Sequence, residues 1–196
     1  MLQKREYDKS NTIAFRKTTE PFGGLSNMAS GYPIEWKFIT VKSSEALYQA
    51  LRYPDKCKIQ AEILLQTNAM SAKMISKKYL KHTRDDWEEV KYKIMKLCLE
   101  LKLINNWDLL HDLFVLTENK NIVELVYDDS VWGAKDIGNQ YFGENALGRL
   151  LMGLREKFIF NPTTAFIELP PIDDVILLGV DIKELDLVYL RNKALF

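Results

Sequence analysis

Histidine and cysteine are scarce in this chain of 196 residues, which has two of each. Cys57 and Cys98 lie far apart and lack the spacing of metal ligands, so we expect free thiols in a reducing compartment. A histidine metal site or a Ser-His-Asp triad would have to draw on His82 and His111 alone. His111 falls inside a helical pattern, where a structural or surface role is the more common one. Any catalysis is therefore expected to use carboxylates, amines and aromatic side chains.

An excess of charge is also missing, because 27 Lys and Arg residues balance 27 Asp and Glu residues. This balance argues against a general nucleic-acid-binding surface but allows a local basic pocket. The longest apolar run, DVILLGV, is too short to span a membrane. The opening MLQKREYDKSN contains no apolar stretch typical of a signal peptide. We therefore expect a cytoplasmic protein that does not contact a membrane.

Hydrophobic periodicity predicts short strands followed by several helices. TIAFRKT and YPIEWKFITV alternate apolar and polar residues and are predicted as strands, the second with Ile34, Trp36 and Phe38 on one face. The most regular helical pattern is RDDWEEVKYKIMKLCLELKLINN, where apolar residues recur every three or four positions. Helices are also predicted for SSEALYQALRYPD, NAMSAKMISKKYL, WDLLHDLFVLT and ALGRLLMGLREKF. Asn68 and Asn145 are the expected N-caps of the second and the last of these.

The remaining segments complete the predicted fold. NIVELVY is either a short strand or an irregular apolar run, and VWGAKDIGNQYFGEN is a glycine-rich loop. VILLGV is predicted as a strand and DIKELDLVYLRNKALF as a closing helix. The sum is an α+β fold, a helix-dominated single domain with a small β-sheet. We expect residues 1–160 to form the main domain and 161–196 a C-terminal extension, a strand plus a helix, packed on it.

The predicted helix SSEALYQALRYPD has a polar stripe that is more specific in its residue types than a solvent-exposed face needs. Glu45, Gln49 and Arg52 are spaced i, i+4 and i+7, so they share one face if the segment is helical. A glutamate in the first turn also has a simple explanation, because it interacts favourably with the helix dipole. The residues alone leave both interpretations of Glu45 open: a helix-stabilising acid or a group that faces a substrate.

The segment VYDDSVWGAKDIGNQYFGENALGRLLMGLRE also departs from simple packing. Trp132 lies beside glycine in an acidic loop, where a large aromatic side chain either packs in the core or stacks on a ligand. Gly148 and Gly153 interrupt a good helix and cost roughly 1 kcal/mol each relative to alanine. Such glycines indicate the close approach of another backbone or of a ligand.

Taken together, these motifs resemble the NADAR family. GGLSN, SSEALYQALRYPD, NAMSAKM, DDWEEVKYKIM, LKLINN, LLHDLFVLT, DDSVWG and GENALGRLLMGLRE follow one another in the family's order and spacing. The resemblance runs from about residue 12 to about residue 158, and the segment after about residue 160 lies outside it. The best-known activity of the YbiA-like group of this family is that of an N-glycosidase of riboflavin biosynthesis intermediates.

The resemblance implies a hydrolase that cleaves the ribosyl C–N bond of phosphoribosylamino-pyrimidines. Two alternatives remain: an ADP-ribosyl hydrolase acting on guanine in DNA or RNA, and a non-catalytic module that binds ADP-ribose or NAD derivatives. The zero net charge favours a small molecule over nucleic acid as the partner. Cleavage develops oxocarbenium character at C1, so it needs nearby negative charge, a proton for the leaving nitrogen and a held water. The chemistry requires no metal and no cofactor.

The resemblance also assigns site residues, with Lys73 added as a possible source of an amine. The catalytic candidates are Glu45, Asp129 and Lys73. The substrate-binding candidates are Asn27, Tyr48, Gln49, Arg52, Trp87, Trp132, Gly133 and Asn145. Arg52 stands where the YbiA-like group commonly has lysine, and a guanidinium cannot form a Schiff base. An amine for such a step would have to come from Lys73 or Lys77.

Overall fold

The computed structural model describes residues 3–129, 131–162, 167 and 169–185. Within these residues the ordered elements are β1 (Arg5–Asp8), β2 (Thr12–Phe15), β3 (Ile34–Trp36), β4 (Ile39–Val41), α1 (Ser44–Ala50), α2 (Cys57–Leu64), α3 (Ala69–Lys77), α4 (Trp87–Asn105), α5 (Trp107–Val115), β5 (Asn121–Glu124), β6 (Lys135–Asp136), β7 (Gln140–Gly143), α6 (Ala146–Leu154), β8 (Ile176–Leu177) and β9 (Val180–Asp181). A π-helical segment, Arg155–Phe160, continues from α6. The fold is therefore α+β with small sheets, as predicted. No helix in the described part of the chain is long and apolar enough to cross a membrane.

The chain forms two compact units. We call Met1–Ser26 with Asp108–Ala165 the sheet unit, and Asn27–Trp107 with Phe166–Phe196 the helical unit. The predicted division at residue 160 stays a prediction.

The sheet unit is built around two small sheets and α6. Strands β2 and β5 pair in parallel, with Phe15 opposite Glu124, so NIVELVY begins as a true strand. Helix α6 packs against β5. A Cβ atom on Gly148 would lie 2.0 Å from the carbonyl oxygen of Ile122, so glycine is required for this approach. A Cβ on Gly153 would meet nothing within 4 Å, so the same explanation does not apply there.

The predicted loop VWGAKDIGNQYFGEN contains a hairpin, so the loop prediction was wrong. Strands β6 and β7 pair antiparallel, and β7 also pairs with β1, which the sequence analysis did not predict. Tyr141 of β7 lies opposite the buried Tyr7 of β1. Gly138, at φ 97°, provides the left-handed turn between β6 and β7. The short glycine-rich segment contains no sequence pattern that predicts its pairing with β1, because β1 lies near the start of the chain.

The helical unit is centred on α1, which packs against α2, α3 and α4. Every residue of α1 is buried. The helix begins after Ser43, whose hydroxyl oxygen accepts a hydrogen bond from the Ala46 N–H at 3.2 Å. It ends at Ala50, so Arg52 lies in the following turn and not on the helix. The predicted polar face therefore does not face solvent, and its carboxylate is placed inside the protein.

The predicted strand YPIEWKFITV is a tight hairpin of β3 and β4. Lys37 has φ 56°, which turns the chain between Trp36 and Ile39. Ile34 and Trp36 are fully buried, but Phe38 is 88% exposed, so the prediction of one shared face was wrong for Phe38. The alternating pattern continued through a turn, which periodicity alone cannot detect.

Part of the C-terminal segment forms a second hairpin within the helical unit. VILLGV was predicted as a single strand, but β8 and β9 are joined by a turn at Leu178 and Gly179. The Trp36 indole N–H donates to the carbonyl oxygen of Val180 at 3.2 Å. The Gln60 side chain donates to the Ile176 carbonyl oxygen at 2.8 Å. Of the predicted closing helix, Ile182–Glu184 form a 3-10 turn, and the part after residue 185 lies outside the described residues.

The other predicted helices are confirmed by α3, α4, α5 and α6. Asn68 caps α3, accepting a hydrogen bond from the Ser71 N–H at 2.8 Å. Asn145 stands at the N-cap position of α6, but its side chain does not cap that helix. The N–H groups of Ala146 and Leu147 donate instead to the carbonyl oxygens of Val131 and Trp132, which satisfies donors that a cap would otherwise receive.

Candidate active site

Glu45 is a buried carboxylate at the start of α1. Its side chain is 2% exposed, and each of its oxygens accepts one amide hydrogen bond. Gln49 Nε2 donates to Oε1 at 2.8 Å, one helical turn away. Asn27 Nδ2 donates to Oε2. The two amides fix the plane of the carboxylate, and each oxygen keeps further acceptor capacity.

Asn27 is fastened to the same helix through its backbone. Its carbonyl oxygen accepts hydrogen bonds from the Glu45 N–H at 3.0 Å and from the Ser44 hydroxyl at 3.1 Å. These bonds satisfy one of the N–H groups that the start of α1 leaves without a helical partner. The backbone and the side chain of Asn27 are thereby both fixed to the start of α1.

Burial raises the pKa of Glu45 above its ordinary value. The positive charge of Lys73 on α3 is the largest effect in the opposite direction, and Arg52 adds a smaller one. The hydrogen bonds from the two amides also favour the ionised form. A carboxylate kept inside the protein with a raised pKa, next to two cations, is typical of a functional group.

A cluster of aromatic and cationic side chains lies beside Glu45. The ring centroids of Tyr48 and Trp87 are 5.0 Å apart, with the rings tilted by 49°. The guanidinium carbon of Arg52 lies 4.4 Å from the Trp87 ring centroid. Burial raises the pKa of Tyr48, so its phenol stays neutral. The helical unit thus brings together seven of the predicted site residues: Asn27, Glu45, Tyr48, Gln49, Arg52, Lys73 and Trp87.

Cys98 of α4 is a neighbour of Glu45 that the sequence analysis did not single out. Burial raises the pKa of its thiol well above the ordinary value, and the negative charge of Glu45 acts in the same direction. The thiol is therefore neutral and is not a nucleophile. No local motif marks Cys98, because its proximity to Glu45 depends on the packing of α4 against α1.

Asp129 and Trp132 lie in the sheet unit, on the turn that precedes β6. Asp129 is exposed, and its Oδ1 accepts hydrogen bonds from the N–H groups of Val131 at 3.0 Å and Trp132 at 3.1 Å. This Asx-type turn sets the backbone of Trp132, whose side chain is half-buried. The predicted roles of Asp129 in catalysis and Trp132 in binding stay predictions.

Gly133 and Asn145 have structural tasks in the sheet unit. A Cβ atom on Gly133 would lie 2.4 Å from the carbonyl oxygen of Glu124, so no larger residue fits. Asn145 is fully buried at φ 49°, and its amide donates to the Ile122 carbonyl oxygen at 2.8 Å. Its Oδ1 accepts from the Glu124 N–H at 3.4 Å. These contacts tie α6 to β5, and the predicted substrate contacts of both residues stay predictions.

Within the described ranges, no group of three or more His, Cys, Asp or Glu residues is placed to bind a metal ion. The candidate site is thus described by one carboxylate, two amides, two cations and two aromatic rings.

Comparison with known proteins places this chain among N-glycosidases. The NADAR domain model matches residues 14–159. N-glycosidase YbiA of Shigella boydii is 34% identical over 145 residues, which cover 74% of this chain and 87% of that protein. The solution NMR structure of Escherichia coli YbiA superposes with a TM-score of 0.67 at 30% identity and covers 82% of this chain and 92% of that one.

A riboflavin biosynthesis protein of Vibrio vulnificus is 32% identical over 150 residues. The match covers 74% of this chain but 38% of the Vibrio protein, so this chain corresponds to a part of that longer relative.

The fold and the family model agree, and the chain belongs to the NADAR family. The predicted enzyme class, a hydrolase of N-glycosyl bonds, is confirmed by relatives at about 34% identity that bear the name N-glycosidase.

Proposed function

We propose that this protein hydrolyses the ribosyl C–N bond of phosphoribosylamino-pyrimidines, the early intermediates of riboflavin synthesis. The observation that carries the proposal is the buried Glu45, held by one amide on each oxygen beside Lys73 and Arg52. The names of two relatives, a riboflavin biosynthesis protein of Vibrio vulnificus and one of Zea mays, support this substrate class.

Glu45 acts in its ionised form. As the C1–N bond breaks, its negative charge stabilises the oxocarbenium character that develops on the sugar. The leaving nitrogen takes a proton from the solvent, and a water molecule adds to C1. Glu45 removes the proton of that water through a lone pair that the amide donors leave available. Bond breaking, protonation and water addition together yield the free amine and ribose 5-phosphate.

Lys73 offers a second route at the same carbon. In its deprotonated form the Lys73 amine attacks C1 while the C–N bond to the pyrimidine breaks, and the proton that the amine loses on bonding passes to the leaving nitrogen. Ring opening then gives an imine, and water hydrolyses the imine to release the sugar and restore the amine. Borohydride distinguishes this route, because it reduces the imine and leaves the sugar phosphate on the protein. We expect that added mass on wild-type protein and none on Lys73→Arg if the imine forms.

Arg52 supplies the cationic group for the 5′ phosphate. Among the described residues no carboxylate oxygen lies within salt-bridge distance of its guanidinium, and Glu45 acts on it from farther away. A planar guanidinium can bind a phosphate through two parallel hydrogen bonds, which lysine cannot reproduce. We expect Arg52→Lys to raise KM for phosphorylated substrate by roughly tenfold and to leave kcat within about twofold.

The test is a substrate panel read by mass spectrometry of the released base or amine. Wild-type protein and Glu45→Gln are incubated with the riboflavin intermediates, NAD, ADP-ribose and an ADP-ribosylated guanine oligonucleotide. We expect release from the phosphoribosylamino-pyrimidines with wild-type protein only. Release from the oligonucleotide alone would replace the proposed substrate, and binding of ADP-ribose without any release would indicate a binding module.

A further inference from the structure

The indole of Trp87 is covered by side chains of its own unit. Trp87 is the first residue of α4 and is 5% exposed. Arg52 lies over its ring and Tyr48 packs against it at a tilt. A tryptophan that stacks on a ligand must offer a free ring face, and the Arg52 guanidinium already lies over the face of this ring. A contact between Trp87 and the substrate ring is therefore unfavourable in this arrangement.

Arg52 is held in an unusual way for a half-buried cation. Its Nε is buried and has no hydrogen-bond partner in the described part of the chain. Its backbone is fixed, because the carbonyl oxygen accepts a hydrogen bond from the Arg84 N–H at 3.1 Å. Buried arginines are normally paired with a carboxylate. Here the guanidinium contacts the face of Trp87 through a cation–π interaction, and the Glu45 carboxylate acts on it from farther away.

The nearby charges are arranged for an anion. Arg52 and Lys73 both act electrostatically on Glu45, so two cations accompany one carboxylate. A guanidinium stacked on an indole keeps its N–H donors in its own plane, at the edge of the stack. These donors suit the fork of two oxygens that a phosphate presents.

We propose that Trp87 is a positioning residue that holds the Arg52 guanidinium for the phosphate of the substrate, and that it does not stack on the substrate ring. The inference rests on the proposed function, because it concerns the phosphate of that substrate. Trp87 acts on phosphate affinity through Arg52. Its effect on the sugar and on the leaving ring is small.

The test measures binding without turnover, by calorimetry with ribose 5-phosphate and with ribose as probes. We expect wild-type protein to prefer ribose 5-phosphate, and Arg52→Ala and Trp87→Leu each to reduce that preference by about tenfold or more. The double variant should lose no more than either single variant, because both changes remove the same contact. Equal weakening of both probes by Trp87→Leu would show direct contact with the sugar and contradict the inference. Unchanged affinities together with a lower Tm would reduce Trp87 to a core residue.

Aromatic replacements keep the test available if Trp87→Leu does not fold. Trp87→Tyr and Trp87→Phe preserve a ring at the same place, but both bind a cation less strongly than tryptophan. We expect the preference for ribose 5-phosphate to decrease in both, with ribose affinity unchanged. Equal ribose 5-phosphate affinity in all three proteins would overturn the inference.

The binding test of Trp87 is separate from the test of the proposed function. The proposed function is decided by base release in the substrate panel. If wild-type protein hydrolyses the pyrimidine substrates but binds both probes equally, the proposed function stands. The role of Trp87 and Arg52 in phosphate binding is then contradicted. A protein that releases nothing but loses its phosphate preference in Trp87→Leu would refute the hydrolase and keep the positioning role.

Discussion

Glu45 of the helical unit and Asp129 of the sheet unit carry the same chemical group in opposite surroundings. Glu45 is 2% exposed and takes one amide donor on each oxygen from Asn27 and Gln49. Asp129 is exposed, and its Oδ1 closes the turn at Val131 and Trp132. The Glu45 carboxylate has lost its contact with water, whereas the Asp129 carboxylate stays in solvent and stabilises a local backbone turn.

The difference indicates which group is suited to chemistry. An exposed carboxylate interacts weakly with a developing charge because water screens it. A buried carboxylate interacts strongly, and its burial costs stability unless hydrogen bonds and cations compensate. Glu45 has both kinds of compensation. We therefore expect Glu45 to be the principal catalytic carboxylate and Asp129 to be secondary.

The largest effect is expected for Glu45→Gln, with Asp129→Asn as the matched control. Each change keeps size and removes one negative charge, and an asparagine oxygen can still accept both N–H groups of the Asp129 turn. We expect kcat to fall by about 10²-fold or more for Glu45→Gln and by about tenfold or less for Asp129→Asn. Steady-state kinetics on folded proteins measure both. A near-normal kcat in Glu45→Gln, or a larger loss in Asp129→Asn, would reverse the assignment.

Removal of the amide donor of Gln49 is expected to have the next largest effect. Gln49→Leu withdraws a hydrogen bond that favours the ionised carboxylate, so the pKa of Glu45 rises further. At neutral pH we expect kcat/KM to fall by about tenfold, and to recover as the pH is raised. A loss that stays constant across the pH profile would indicate a structural role for Gln49.

Trp132→Ala offers a comparison with the covered Trp87. Trp132 is half-buried, and stacking of a base on an aromatic ring is worth ~1–3 kcal/mol. We expect substrate binding to weaken by roughly tenfold while the protein stays folded. Titration with substrate and a thermal melt separate the two roles: a lower Tm with unchanged binding and turnover would make Trp132 a packing residue.

Much of the helical unit could be predicted from sequence because its signals are local. The apolar period of α4 and the cap residue Asn68 act within a few residues of the helices that they define. The pairing of β1 with β7 joins residues more than a hundred positions apart, and nothing in either segment specifies it. Long-range pairing of this kind is the part of a fold that local patterns do not reveal.

The candidate site shows the same limit. The spacing of Glu45 and Gln49 predicts that they meet, and they do. Burial of the carboxylate depends on Asn27 in a preceding loop and on α3 and α4, none of which the α1 sequence contains. Arg52 was expected on the face of the helix but reaches the site from the turn after it, stacked on Trp87.

The smallest effect is a gain in stability. The pKa of Glu45 is raised in the folded protein, so between the ordinary glutamate pKa and this higher value the folded state binds more protons than the unfolded state. Stability therefore falls as the pH rises through that window. We expect Glu45→Gln to melt a few degrees above wild type at neutral pH, and the gap to shrink on acidification below the ordinary pKa. A variant less stable than wild type at neutral pH would show that the charged form stabilises the fold.

The central claim, that a buried Glu45 acts as an ionised catalytic carboxylate, is tested most directly by titrating Glu45 itself. Protein labelled with ¹³C at the glutamate carboxyl carbons is followed by NMR from acid to neutral pH, and the Glu45 signal is identified by its loss in Glu45→Gln. We expect a midpoint above that of an ordinary glutamate, and we expect it to coincide with the acid limb of kcat/KM for wild-type protein. An ordinary midpoint, or a rate that does not follow the titration of Glu45, would contradict it.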